Sequence, residues 1–404
     1  MQTEPAVEKD AGPDERLTFA VAYASLLAFA FAFQSLPPIL RLIMTDLKLN
    51  HTEAGLLMGL FALPGILLTI PGGWLTDVYG PRRVGIIAAG LTISGTLVVA
   101  GAPDFTWLAI GRLISGVGAM TLVVIAASLI SRTFEGRRLG TAMGLYNTGM
   151  PIGTIICFTL LGAVGAKWGW RGAVAVSTLA GFAALALLIY RPEGRTKQPP
   201  AGIARSLRSA GGPIWLAGLA WLWFNAAVIA FLTFSPDYFQ SLGLKASAAA
   251  FLASLIMWGA LIVSPIIGPF MGGVRRKRSL IIAGAFIPGL IYLALPSTPD
   301  WRLPLMVTLG LTAALLPAPL FALPAEIVDR RNQGVAFGIL STCLNAGILL
   351  GPFIVGRLRD ATGSYRLGFI SMAAFSALAT LSIIPLTWRR GRAIGAGPLH
   401  DDER

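Results

Sequence analysis

The charged residue with the most informative position is Arg112, which lies inside the apolar run 105–130. An arginine within a membrane span costs about 2.5–3.5 kcal/mol on insertion scales, which makes it a functional candidate. Ser115, Gly116 and Ala119 follow at spacings that place them on the same helical face. Because this small-residue face packs closely, the guanidinium either binds backbone carbonyls of the first span or points into a cavity, where it would bind a solute.

Polar and aromatic side chains inside other apolar runs are the further candidates for solute binding. They are Gln34, Tyr146, Asn147, Trp221, Asn225, Trp258, Ser341 and Asn345. The alternative for each is a packing role or an interhelical hydrogen bond, the latter worth about 0.6 kcal/mol on average. No carboxylate lies near the centre of a run, since Glu53, Asp237 and Glu326 all fall near ends. With Arg112 present, this absence favours an anionic or neutral solute over a cationic one.

Charges and turn residues cluster in the short connections between the apolar runs. The stretch GGWLTDVYGPRR (72–83) combines an acid, a Gly-Pro turn and two arginines. Two later connections, at 132–138 and 326–331, also mix acids with arginines. In these two later connections we predict salt bridges that form and break as the helices move against each other, with the alternative that they are solvated charge runs. The candidate gating residues are Asp77, Arg82, Arg83, Glu135, Arg138, Asp329 and Arg331.

The composition indicates a protein whose solvent is the lipid bilayer. Of its 404 residues, 55% are hydrophobic and 13% charged, with a mean hydropathy of +0.72, whereas soluble domains are about 25% charged. The net charge of +13 is typical of basic loops facing anionic lipid, so we expect no nucleic-acid partner. His51 in a predicted loop, His400 in the tail and two separate cysteines predict no metal site, and no phosphate-binding loop or other cofactor motif is present.

The apolar runs predict an all-α membrane protein with twelve transmembrane helices. The predicted spans are 17–40, 54–75, 84–102, 105–130, 140–165, 170–190, 213–236, 247–271, 279–296, 303–325, 334–356 and 367–388. The polar stretch 191–212 predicts a cytoplasmic linker between two six-helix bundles, 1–190 and 213–404. Of the 32 Lys and Arg residues, 22 fall on the side of the N-terminus and 9 on the other. This bias predicts that both termini are cytoplasmic, in a plasma membrane of the bacterial inner type.

The two predicted bundles are related by an internal repeat. DLKLNHTEAGLLMGL from Asp46 matches SLGLKASAAAFLASL from Ser241, at an offset of 195 residues. EGRRLGTAMG from Glu135 matches DRRNQGVAFG from Asp329, at an offset of 194. Parallel repeats of this kind place a binding site near the membrane midplane between the halves.

Four motifs resemble those of the major facilitator superfamily of transporters. Residues 73–83 are similar to its G-x-L-x-D-x-x-G-x-R-R loop between helices 2 and 3, and RLISGVGA (112–119) to its helix 4 motif. GILLGP (347–352) is a weaker match, and GMPIG (149–153) departs from the family's glycine–proline motif. The resemblance implies two pseudo-symmetric six-helix halves that rock about a central site. It also implies that Asp77 grips the other half while the protein faces outward.

The sequence therefore predicts a secondary active transporter that moves a small organic or inorganic anion by alternating access. We expect it to act as a monomer, with H+ as a possible partner. The alternative is efflux of amphipathic drugs or metabolites by proton antiport. Nitrate porters of the superfamily that this chain resembles have arginines in spans 2 and 8, and the absence of arginine from these spans here argues against nitrate. An enzyme embedded in the membrane would need a cluster of His, Asp or Cys at one depth, and the sequence has none.

Overall fold

The fold consists of helices that run back and forth through one bundle. A computed structural model describes residues 13–191, 211–271, 273–324 and 333–394, and these contain no β-strand. In the first half the helices are α1 (Pro13–Gln34), α2 (Leu40–Leu47), α3 (His51–Tyr79), α4 (Pro81–Ala100), α5 (Phe105–Thr133), α6 (Gly136–Asn147), α7 (Gly149–Ile156) and α8 (Gly162–Tyr190). In the second half they are α9 (Gly211–Ser241), α10 (Ala246–Ile266), α11 (Gly273–Ala294), α12 (Arg302–Ala313), α13 (Pro317–Ala322), α14 (Gln333–Thr362) and α15 (Arg366–Ile394).

The helix ends follow from local sequence. Asn50 and Glu53 form a reciprocal capping box at the start of α3, which satisfies two backbone amides that the helix itself leaves free. Asp104 accepts from the amide of Trp107 at the start of α5. Gly80 adopts φ +87°, which favours glycine, and Pro81 follows as the first residue of α4. The predicted turn between spans 2 and 3 is therefore confirmed.

The helices account for the twelve predicted spans. In the described part of the chain, eleven segments are long and apolar enough to cross a membrane, and one of them, 138–190, has 53 residues. A span needs about 20 residues, so this segment holds two crossings. They meet at Gly169, whose φ of +71° and ψ of 170° interrupt α8. Span 1 comprises α1 and α2, span 5 runs from α6 to Gly169, and span 10 comprises α12 and α13.

The two halves touch mainly through span 2 against span 11 and span 5 against span 8. The closest approaches pair Gly55 with Pro352, Gly59 with Leu349, Gly65 with Asn345, and Gly356 with His51, and Gly162 lies in van der Waals contact with Ala250. Gly65 is near the middle of α3, and the other contacts of span 2 lie between it and His51. We call this side of the bundle the His51 end, and the side with the Gly80 turn the Arg82 end.

Towards the Arg82 end the halves diverge. In span 5, α6 is exposed over one broad side that runs from Asn147 and Gly140 through Gly144 to Leu145. A Cβ atom built on Gly140, Gly144 or Gly338 would meet nothing within 4 Å. Because Gly140 and Gly144 lie in span 5 and Gly338 lies in span 11 of the other half, we interpret the open space beside them as a cavity between the halves that opens at the Arg82 end.

Candidate solute cavity and gates

Arg112 is buried, with 1% of its surface exposed, and its guanidinium binds backbone carbonyls. Nε donates to the Leu57 carbonyl at 3.0 Å, and the terminal nitrogens donate to the Ala32 and Phe33 carbonyls at 2.7 and 3.3 Å. The carbon at the centre of the guanidinium lies 4.4 Å from the centroid of the Phe61 ring. Arg112 thus joins span 4 to spans 1 and 2.

The sequence of span 1 explains why a carbonyl there needs an external donor. In a continuous helix the Phe33 carbonyl would accept from the amide four residues later, but that residue is Pro37, which has no N–H. Helix α1 accordingly ends at Gln34. Of the two predicted interpretations of Arg112, the structure has the carbonyl-bound one, and the guanidinium does not face the cavity. Solute binding by Arg112 stays a prediction.

Gln34 has a buried amide without a partner. It is 0% exposed, and neither Nε2 nor Oε1 has a hydrogen-bond partner among the described residues. A buried amide without partners costs free energy unless water or a ligand satisfies it. Gln34 lies at the break in span 1, beside the carbonyls that bind Arg112.

Asn345 contacts Gly65, near the middle of α3, at the end of the contact between spans 2 and 11 that is farthest from His51. Its Nδ2 donates to the Ser341 carbonyl at 2.9 Å, and Oδ1 has no partner in the described structure. The side chain packs on Gly65, where a Cβ atom would approach Nδ2 to 2.6 Å. Ser341 is one turn nearer the Arg82 end and is partly exposed. The predicted pair therefore lies where the closed part of the interface gives way to the cavity.

Trp221 and Asn225 are both buried, at 7% and 6% exposure. Asn225 Nδ2 donates to the Trp221 carbonyl at 2.7 Å, while Trp221 Nε1 has no partner among the residues described. The indole meets the edge of Phe321 at 5.1 Å, and Phe321 stacks with Phe337 at 6.4 Å. Spans 7, 10 and 11 thus share an aromatic group that the sequence reasoning missed, because its members come from three separate runs.

Two of the predicted cavity residues occupy other surroundings. Tyr146 is 5% exposed and packs among apolar side chains of spans 1, 4 and 5, within the first half. Trp258 is 39% exposed and shares a helical face with Phe251 and Ile262, at 46% and 52%. Because Phe251 lies near the His51 end, where the halves are closed, we interpret this apolar face as the outer, lipid-facing side of span 8. We therefore leave Tyr146 and Trp258 out of the proposed lining, whereas Asn147 is exposed on the same side of α6 as Gly140 and stays a candidate.

Two of the gating candidates, Arg82 and Arg138, make contacts within the first half. Arg82 donates to the Ile189 carbonyl at 2.7 Å, at the end of span 6. Arg138 pairs with Glu15 at 2.7 Å, and Arg83 and Glu135 are exposed. The Asp77 side chain, and Asp329 and Arg331 entirely, lie outside the described residues. Arg82 and Arg138 are thus bound within the first half, and the predicted salt bridges between the halves at the Arg82 end stay a prediction.

A polar cluster at the His51 end was not predicted. His51, predicted to be in a loop, is the first residue of α3, and it contacts Asp360 of span 11 and Asp237 of span 7. Only the placement of Asp237 near the end of a span was visible in sequence. The three residues are brought together by the contact of spans 2, 7 and 11, which no local pattern reveals.

Comparison with known proteins places this architecture in a family. The sequence model described as Major Facilitator Superfamily matches residues 22–257 and 224–398. The bovine (Bos taurus) lysosomal dipeptide transporter MFSD1 is 25% identical over 371 residues, covering 84% of this chain and 78% of that protein. The 3-(3-hydroxy-phenyl)propionate transporter of Escherichia coli K12 is 28% identical over 338 residues, covering 82% and 83%.

A solved structure of a bacterial homologue of the human lysosomal transporter Spinster, inward-facing and unoccupied, has the same fold. Its TM-score is 0.75 at 18% identity, and the alignment covers 95% of this chain and 98% of that one. The relatives are transporters and not enzymes, as the sequence predicted for this chain. Together with the two-half architecture, these matches show that the chain belongs to the Major Facilitator Superfamily of membrane transporters.

Proposed function

We propose that this transporter moves a small organic anion by alternating access, and that the Arg82 end faces the cytoplasm. The observation that carries the proposal is the asymmetric contact of the halves, which are joined from His51 to Gly65 and separated beyond it. A single cavity open at one end is what one state of a rocking transporter requires. The bias of basic residues towards the Arg82 end supports a cytoplasmic location for it.

The chemistry of the proposed lining favours an anionic or neutral solute. Within the described chain, no acidic residue lies in the middle of a span, so a cation would find no buried carboxylate there. Gln34, Asn225 and Asn345 offer amide groups, and the Trp221–Phe321–Phe337 group offers an apolar wall. The E. coli relative is named a transporter of 3-(3-hydroxy-phenyl)propionate, a carboxylate with an aromatic ring. Such a solute is compatible with this lining.

Efflux of an amphipathic compound by proton antiport is the second candidate. The exposed rings of Phe321 and Phe337, at 39% and 41%, favour it, because aromatic walls bind apolar solutes of many shapes. The buried amides favour the anion, since a specific polar group is of little use to a promiscuous exporter. We further propose that the protein acts as a monomer in a bacterial inner membrane with both termini in the cytoplasm.

The test is uptake and counterflow in proteoliposomes, with labelled aliphatic and aromatic carboxylates against cationic amphiphiles, and with a pH gradient present or absent. We expect carboxylates to exchange and cationic amphiphiles not to. Asn345→Leu should raise the KM for the carboxylate about tenfold, the equivalent of one lost hydrogen bond of about 1.4 kcal/mol. The matched control is Trp258→Leu on the lipid face, which should leave KM unchanged. Transport of cationic amphiphiles with no carboxylate exchange would refute the anion assignment.

A further inference from the structure

The cluster at the His51 end joins the two halves through the first turn of a helix. Asp360 of span 11 accepts from the backbone amides of His51 and Thr52, at 3.0 and 2.7 Å, and from the Thr52 hydroxyl at 2.6 Å. These amides belong to the start of α3, where an intrahelical acceptor is absent and the helix dipole favours negative charge. A carboxylate of the second half thus caps a helix of the first.

The imidazole of His51 lies between two carboxylates, both from the second half. Nδ1 is 2.8 Å from Asp360 Oδ1, and Nε2 is 3.6 Å from Asp237 Oδ2. The side chain is only 20% exposed, and the rings of Phe234 and Tyr365 lie 6.2 and 5.9 Å from it. Each ring nitrogen therefore faces an oxygen that accepts hydrogen bonds.

The other charged and titratable groups around the cluster have the following partners, and none of these contacts is with the His51 ring nitrogens. The Tyr365 hydroxyl donates to Asp237, and Arg41 Nε lies 3.8 Å from the same carboxylate. Arg359 lies over the Tyr365 ring at 4.8 Å. On the side of His51 itself, Glu53 accepts from the backbone amide of Asn50. The exposed Lys48 precedes the helix, and Asp46 is bound by Trp170 and Arg171.

A neutral imidazole fits this site poorly, because it carries a proton on only one nitrogen. The other nitrogen would then present a lone pair to a carboxylate oxygen. The imidazolium carries a proton on both nitrogens and makes an ion pair with each acid. Since both acids belong to the second half and His51 to the first, the added proton strengthens the contact between halves.

We propose that His51 is a proton-binding site, and that the bound proton holds the two halves together at the His51 end. This inference rests on the proposed alternating-access function. The cluster lies on the closed side, away from the cavity mouth, so the proton exchanges with the medium at the His51 end and is not carried across. Acid on that side shifts the protein towards the state that is open at the Arg82 end.

The test measures the distance between the halves at the His51 end without any solute. Spin labels at Thr45→Cys and Ser247→Cys, both exposed and on different halves, are introduced after Cys157 and Cys343 are replaced by alanine. Pulsed electron resonance in lipid nanodiscs at pH 5.5 and pH 8 gives the ratio of short to long distances. We expect the ratio to be about fivefold higher at pH 5.5, the equivalent of one partly exposed ion pair.

The variant His51→Gln should remove this pH dependence, because glutamine does not titrate. The matched control is His400→Gln, which changes the chain's other histidine. This variant should retain the pH dependence of the distance ratio. Asp360→Asn should lower the short-distance fraction at both pH values. This variant tests the inference if His51→Gln does not fold. In proteoliposomes of known orientation, acid at the His51 end alone should produce the shift.

Three results would overturn the inference. They are a wild-type ratio that does not change with pH, a His51→Gln protein that retains the change, and a response to acid at the Arg82 end alone. None of them depends on a transported solute, so a failure here is distinct from a failure of the proposed transport. Conversely, carboxylate exchange could be absent while the distance ratio still responds to pH through His51.

Discussion

Replacement of Arg112 distinguishes a residue that holds helices together from one that binds the solute. The guanidinium bridges spans 1, 2 and 4 through three carbonyls. We compare Arg112→Ala, which removes every donor, with Arg112→Lys, which keeps the charge. A single ammonium group cannot reproduce the planar fork that reaches carbonyls of two helices at once.

The loss of the hydrogen bond from Arg112 costs a different free energy at each of the three carbonyls. The Phe33 carbonyl has no backbone donor because Pro37 lacks an N–H, so it is left unsatisfied at a cost of about 1–3 kcal/mol. The Ala32 carbonyl also accepts from the Ser35 hydroxyl, and Leu57 lies within the continuous helix α3. Each of these bonds is closer to the membrane average of about 0.6 kcal/mol. We expect Arg112→Ala to lower the free energy of unfolding by about 2–4 kcal/mol, and Arg112→Lys by less.

The assay is chemical and thermal unfolding of purified protein, followed by tryptophan fluorescence, together with counterflow to obtain KM. The matched control is Arg171→Ala, which removes an exposed arginine paired with Asp46 and should leave the free energy of unfolding almost unchanged. If Arg112 acts through the carbonyls, both Arg112 variants that fold should retain nearly normal KM for the solute. An Arg112→Ala protein of unchanged stability whose anion KM rises more than tenfold would refute this reasoning and restore Arg112 as a ligand.

Three further predictions concern packing, backbone and cavity. Gly116→Ala would drive a methyl group into the Phe61 carbonyl and should cost about 1–3 kcal/mol of unfolding free energy, whereas Gly140→Ala, which meets nothing, should cost none. Gly80→Ala places a side chain at φ +87° and should lower the unfolding free energy by about 1–3 kcal/mol; equal stability would show that the turn relaxes. Phe321→Ala removes the ring between Trp221 and Phe337 and should raise KM for aromatic carboxylates more than for aliphatic ones in counterflow, a difference that would be absent if the rings lie away from the solute.

Local sequence was sufficient for the membrane-spanning helices and their turns. Runs of about 20 apolar residues must form helices in lipid, since every backbone polar group needs a partner there. The Gly80-Pro81 turn and the break near Pro37 could also be predicted from residue type, because glycine tolerates positive φ and proline lacks an N–H. The position of the linker at 191–212 stays a prediction, because most of that stretch lies outside the described residues.

Local sequence was insufficient wherever the partner of a side chain comes from a distant span. Arg112 was compatible with a carbonyl clamp or with a solute site, and the choice depended on how spans 1 and 2 pack against span 4. Trp258 had the residue type of a cavity wall, but its direction follows from which face of span 8 meets span 5.

The sequence by itself determined that this chain crosses a membrane as two similar halves, because hydropathy and repeat spacing are properties of the chain read in order. Only the tertiary structure brought His51 against Asp360, 309 residues away, and joined the halves at one end while leaving them apart at the other. Such contacts depend on how whole helices pack, and the energy of any one of them is too small to be visible in a local pattern of residues.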